Sequence, residues 1–90
     1  MIDISFSPEA QEDYEYWREN NPSIVKRIKR LLMDISEHPY TGIGKPEKLK
    51  YELSGKWSRR INDKHRIVYV VREIENDIYI LALRHHYTKK

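Results

Sequence analysis

Cysteine is absent from this chain of 90 residues, so neither a disulfide framework nor a cysteine-ligated zinc site can support its fold. No apolar run approaches the ~20 residues needed to cross a bilayer. The start, Met1 to Phe6, lacks the positive and then apolar pattern of an export signal. Internal repeats, low-complexity stretches and linker-like segments are missing as well. We therefore expect one domain, residues 1–90, in a soluble cytoplasmic protein whose single modest apolar core stabilises it.

What is present is charge, unevenly spread. Between Lys45 and Arg66 eight cations (Lys45, Lys48, Lys50, Lys56, Arg59, Arg60, Lys64, Arg66) face three acids, a local +5 in a chain of net +3. The remainder is slightly acidic. Such asymmetry fits a surface that meets a polyanion, because neutralising phosphates supplies most non-specific nucleic-acid affinity. An ordinary solvated surface in a lysine-rich protein would look the same by composition alone.

Apolar periodicity gives the architecture. Ile2, Ile4 and Phe6 alternate with Asp3 and Ser5, as in a half-buried strand. Ser7-Pro8-Glu9 reads as a helix start, and the helix should run to about Asn20 and bury Ala10, Tyr14 and Trp17. Pro22 can open a second helix with Ile24, Ile28, Leu31, Leu32 and Ile35 on one face and Lys26, Arg27, Lys29 and Arg30 on the other. It should end before His38-Pro39. Residues 39–46 read as a loop running directly into Glu47. Strands then follow at Trp57 to Ile61, His65 to Val71 and Ile78 to Arg84, the last two apolar on both parities and hence central. The expected fold class is α+β, in the order β-α-α-β-β-β, with a two-helix hairpin packed on a curved antiparallel sheet.

Strand alternation also groups the polar residues. Arg66 shares a parity with Val68 and Val70, and Arg84 shares one with His86. If the helices cover one face, the other can hold Arg66, His86 and either Arg59 or Arg60. Adjacent strand residues point apart, so His85-His86 is not expected to chelate; no metal and no cofactor is expected. Each candidate has an ordinary alternative. His86 could be a solvated terminal side chain, Glu47 a screened surface ion pair, Arg66 one half of a structural salt bridge, and Tyr87 edge packing. Trp17 and Trp57 read as core rather than as stacking platforms.

Several ordered motifs carry a resemblance. Gly44-Lys45-Pro46-Glu47-Lys48-Leu49-Lys50, Leu53-Ser54-Gly55-Lys56-Trp57-Ser58-Arg59-Arg60-Ile61, His65-Arg66-Ile67-Val68-Tyr69 and the terminal His86-Tyr87 resemble the Txe/YoeB branch of the RelE-type bacterial toxins. Asp13-Tyr14, Tyr16-Trp17 and Ile24-Val25-Lys26 extend the likeness through the first half. Lys64, His85 and the Thr88-Lys89-Lys90 extension depart from the pattern.

The resemblance implies the RelE-like fold and a ribosome-dependent mRNA endoribonuclease, the toxin of a toxin–antitoxin pair, cutting messenger in the A site against 16S rRNA. It implies Glu47 as general base, Arg66 as the cation on the transition state, His86 as general acid and Tyr87 as an assisting residue. Lys45, Lys50, Arg59, Arg60 and Arg84 are the expected RNA-backbone contacts. Partners implied are a YefM-like antitoxin, the ribosome and mRNA, with operator DNA reached only through the antitoxin complex, no membrane, and a homodimer left open. A non-catalytic ParE-like toxin or antitoxin-binding module on the same fold is the rival reading, since fold alone does not separate them.

Overall fold

Local signals set the first boundaries. Strand β1 (Asp3–Phe6) hands over to helix α1 (Pro8–Asn20) at Ser7, whose hydroxyl accepts the Ala10 N–H at 3.0 Å while Pro8 opens the first turn. Helix α2 (Pro22–Glu37) begins at the second proline and stops at His38, one residue before Pro39. In this computed structural model residues 1–84 are described. The other elements are β2 (Glu47–Lys48), a single 3-10 turn at Tyr51–Leu53, β3 (Trp57–Arg60), β4 (Arg66–Arg72) and β5 (Asp77–Ala82).

The five strands lie in the order β1-β5-β4-β3-β2. Two features differ from the sequence expectation. The sheet is mixed rather than wholly antiparallel: β1 runs parallel to β5, with Asp3 opposite Asp77 and Phe6 opposite Ile80. The two-helix segment carries the chain from β1 to β2 at the opposite edge, and three antiparallel pairings then bring β5 back beside β1 running the same way; a neighbour on this side completes the hydrogen bonding of β5, which is apolar on both parities. In addition, the loop 39–46 runs into a strand that was not expected: Glu47 and Lys48 form β2, an edge strand paired with β3 at Glu47↔Ser58 and Lys48↔Trp57.

The helices bury one stripe each against one face of the sheet. Ala10 and Trp17 of α1 and Ile28, Leu31 and Ile35 of α2 pack on Ile61, Ile67, Tyr69, Ile78, Ile80 and Leu83. Ile24, Val25 and Leu32 pack at the margin of this contact, and each fully buried Leu or Ile of α2 contributes about 1.5–3 kcal/mol of transfer free energy. Tyr14, expected in this core, is only half-buried and meets Phe6 edge-on at 5.8 Å. Among the described residues no helix is long and apolar enough to cross a membrane.

Where β1, β4 and β5 meet, an ionic clasp closes the sheet. Arg72 donates to both carboxylate oxygens of Asp77 at 2.8 Å, and Ser5 Oγ donates to Asp77 Oδ2 at 2.8 Å. The Arg72 guanidinium also lies 4.2 Å from the centre of the Tyr79 ring. The Arg72 bonds, and then the Ser5 bond, hold the Asp77 carboxyl at about 2, against an ordinary 3.8. The unfolded chain then binds this proton more readily than the folded one. The clasp's contribution is thus complete above the ordinary carboxylate range and is lost as pH falls through about 2. We expect Asp77→Asn to lower stability at neutral pH and to lose less of it on acidification than the wild type. Urea midpoints measured between about pH 6 and about pH 2 check this; parallel acid limbs for the two proteins would contradict it.

Candidate active site

Strand alternation divides the basic segment between two faces. Ile67 and Tyr69 point into the helices, so Arg66 and Val68 point away from them. Opposite Val68 stands Ser58, opposite Arg66 stands Arg60, and opposite Ser58 on its other side stands Glu47. Glu47, Arg60 and Arg66 therefore share the helix-free face. Two strand spacings and one two-residue step separate the Glu47 and Arg66 backbones, roughly 12 Å, a gap their side chains can span from both sides of a bound phosphodiester. Glu47 and Arg60 are exposed and Arg66 is half-buried.

Arg66 is fixed by its own turn rather than by an acid. Asn62 Oδ1 accepts the Lys64 and His65 N–H groups at 2.9 and 2.7 Å, folding residues 62–65 into a tight loop. The loop presents carbonyl oxygens to one edge of the guanidinium: Arg66 Nη1 donates to Asn62 O at 2.7 Å and more weakly to His65 O and Asp63 O. The ion pairs among the described residues join Arg18 to Glu15, Arg59 to Asp34 and Arg72 to Asp77. None neutralises Arg66. A carboxylate on the same face as two guanidinium groups, one of them held in place, is equipped to take a proton while the cations hold a phosphate.

Arg59 was expected on the RNA backbone and does something else. It shares the parity of Trp57 and Ile61, points to the helix side and is 0% exposed. All five of its N–H donors are used. Nε donates to the Tyr69 hydroxyl, Nη1 to Asp34 Oδ2 at 2.7 Å and to Ile43 O, and Nη2 to His38 O and Thr41 O. Tyr69 in turn donates to Pro39 O, and Asp34 Oδ2 accepts the Ile43 N–H. The Arg59 hydrogen bond lowers the Asp34 carboxyl below its usual range, and burial pushes the Tyr69 hydroxyl up. The loop 38–44 is thus wound round one buried cation.

Close backbone approach completes this arrangement. At Gly44 (φ 79°) an added Cβ would come within 2.7 Å of the Leu31 side chain, and the Gly44 carbonyl accepts the Arg60 N–H at 2.7 Å. That bond delivers Lys45, Pro46 and then Glu47 alongside β3. Lys45 and Lys50, expected as backbone contacts, are exposed at either side of β2. Arg27, read as a solvent-facing cation of α2, reaches instead to the carbonyls of Arg60 and Ile61 at 3.3 Å.

Arg84 is also placed differently from expectation. Its guanidinium carbon lies 3.4 Å from the centre of the Tyr16 ring on α1, a cation–π contact rather than a position in the Glu47–Arg66 row. Strand β5 ends at Ala82 after a register shift at its pairing with Val68 and Tyr69, so simple alternation does not carry past it. His85, His86, Tyr87 and the extension 88–90 lie outside the described residues. Among the described residues no group of three or more His, Asp or Glu is placed to hold a metal ion.

Asp34 is not singled out by the sequence, and Tyr69 reads there as a strand residue with no polar partner assigned. The parity of Arg59 with Trp57 and Ile61 was a usable signal for burial; nothing local points to Asp34 as its partner.

Known structures share this fold. A YoeB/ParE toxin from Agrobacterium tumefaciens superposes with a TM-score of 0.91 at 34% identity, covering 96% of this chain and all of that one. The toxin of a heterotetrameric YoeB–YefM toxin–antitoxin complex from Staphylococcus aureus superposes at 0.84 with 48% identity, over 97% of this chain and 99% of that one. In sequence, Toxin YoeB of Escherichia coli K12 is 48% identical over 84 residues, 93% of this chain and 98% of that protein. The fold is thus that of a small bacterial toxin. Residues 6–87 match the YoeB-like toxins of bacterial type II toxin–antitoxin systems, and the chain belongs to that family.

The two neighbouring arginines of β3 should behave oppositely. Arg59→Ala should cost about 3–5 kcal/mol of folding stability, since it strands Asp34 and four other acceptors. Arg60→Ala should leave the melting temperature nearly unchanged and remove about one counterion from the salt dependence of polyanion binding at the helix-free face. Thermal melts and salt titrations of both variants check the pair, and equal stability losses would contradict the division.

Proposed function

We propose that this chain is an endoribonuclease that cleaves messenger RNA in the ribosomal A site and so arrests translation. The observation that carries the reading is the row Glu47, Arg60 and Arg66 on the helix-free face of a chain in the YoeB-like family. A pure binding surface has no use for an exposed carboxylate at the end of a row of cations that are meant to meet phosphate, whereas a nuclease needs a base in that position.

The reaction is balanced by side chains alone. Glu47 takes the proton of the ribose 2′-hydroxyl, the 2′-oxygen bonds to the adjacent phosphorus, and the bond from phosphorus to the 5′-oxygen breaks. Arg66 offsets the charge that grows on the phosphoryl oxygens, and His86 gives the departing 5′-oxygen its proton, with Tyr87 beside it. The ends left are a 2′,3′-cyclic phosphate and a 5′-hydroxyl, without a metal. Lys45, Lys50 and Arg60 hold the RNA backbone; phosphate contacts of this kind position a substrate without transferring protons.

Such an activity in the cytoplasm needs restraint. A cognate antitoxin of the YefM kind, with an acidic amphipathic tail that folds on binding, suits the cations between Lys45 and Arg66 that remain at the surface once Arg59 is buried.

The test adds the protein to translating ribosomes and maps the new 5′ ends. We expect cuts within the A-site codon, a rate reduced about 10²- to 10³-fold by Arg66→Ala and comparably by Glu47→Gln or His86→Gln, with ribosome binding retained. Lys50→Ala should instead weaken binding, more so as salt rises. Intact messenger on arrested ribosomes would favour the non-catalytic alternative.

A further inference from the structure

The end of β5 is held not by another strand but by side chains of α1. Ala82 is the last residue of β5 in the ladder, opposite Val68. Leu83 follows it, fully buried, and its backbone is gripped from both sides: its N–H donates to Asp13 Oδ2 at 2.9 Å, and its carbonyl accepts Trp17 Nε1–H at 2.9 Å. Asp13 and Trp17 are four residues apart and so lie on the same face of α1. Both are buried, at 9% and 6% exposure. One turn of helix therefore reads out the donor and the acceptor of a single residue. The next residue, Arg84, is stacked on Tyr16 of the same turn.

The indole has a second neighbour. Trp17 meets the His65 ring edge-on, centroids 4.8 Å apart at 80°. His65 immediately precedes Arg66, and its carbonyl accepts from the Arg66 guanidinium. A single side chain thus touches both the start of the C-terminal tail and the residue that leads into Arg66. In the sequence His86 follows Arg84 by two residues.

We propose that Asp13 and Trp17 are positioning residues, which fix where the tail carrying His86 begins relative to Arg66. The proposal rests on the nuclease reading. Neither residue touches the RNA; each acts through the Leu83 backbone, and Trp17 also through His65. Displacement of a reacting group by about 1 Å costs up to about 10²-fold in rate, so loosening this grip should appear in the chemical step and not in binding.

The test measures single-turnover cleavage on programmed ribosomes for Trp17→Phe, which keeps an aromatic ring and loses the donor. Asp13→Ala and Asp13→Asn are measured beside it, the latter keeping a carbonyl oxygen opposite the Leu83 N–H. We expect Trp17→Phe and Asp13→Ala to lower the maximal rate about 10- to 100-fold at unchanged half-saturation, and Asp13→Asn to recover most of it. In a His86→Gln background the same substitutions should cost almost nothing further, because the group they position is already gone. If one variant fails to fold, the other is read against the same background.

Equal losses with and without His86 would overturn the proposal, as would a defect confined to half-saturation. Wild-type protein that leaves messenger uncut would instead remove the nuclease reading itself.

Discussion

A buried guanidinium with five donors and five acceptors is the constraint on which the rest of the site depends. Arg59 joins α2 through Asp34, the sheet through Tyr69 and the loop 38–44 through three carbonyls. Its own charge never reaches solvent. Lysine could not replace it, since one ammonium with three donors cannot meet a planar fan of acceptors in five directions. The loop it organises ends at Gly44, whose carbonyl is hydrogen-bonded to Arg60, and Glu47 follows three residues later on the strand edge. The position of the exposed carboxylate is thus inherited from a cation on the opposite face.

The same sheet serves two solvents. On one side Ile67, Tyr69, Ile78 and Ile80 meet the helices, and on the other Glu47, Arg60 and Arg66 face outward over Ser58 and Val68. Alternation lets adjacent residues Arg59 and Arg60 take opposite tasks, one internal and one external. Helix α1 adds a third function by gripping the residue at which β5 leaves the ladder, so that the elements bearing Glu47, Arg66 and the C-terminal tail are all referenced to the helical layer.

Much of this was written locally in the chain. Prolines at 8, 22 and 39 set the helix ends, because proline acts within one residue of where it stands. The central strands β4 and β5 were visible because both parities are apolar. The parallel pairing of β1 was not, since a two-residue period has no direction, and β2 was not, since Glu47-Lys48 offers no apolar residue to pattern. Alternation leaves room for only one of Arg59 and Arg60 on the outer face, and the resemblance, which placed both on the RNA backbone, did not say which. The partner of Arg59, Asp34, lies 25 positions away, a separation at which sequence alone carries no pairing signal. Arg84 was misplaced for a related reason: alternation was extended past Ala82, where the strand had ended.

The most direct measurement is a structure of this protein on a ribosome programmed with messenger that carries a 2′-O-methyl group at the A-site codon, so that attack is blocked and the substrate stays. The Glu47 carboxylate should stand about 3 Å from the methylated 2′-oxygen, with Arg66 on the adjoining phosphate and Arg59 still enclosed against Asp34 and Tyr69. Messenger bound along the helices, or a phosphate that meets neither Glu47 nor Arg66, would contradict the assignment of the helix-free face as the cutting surface.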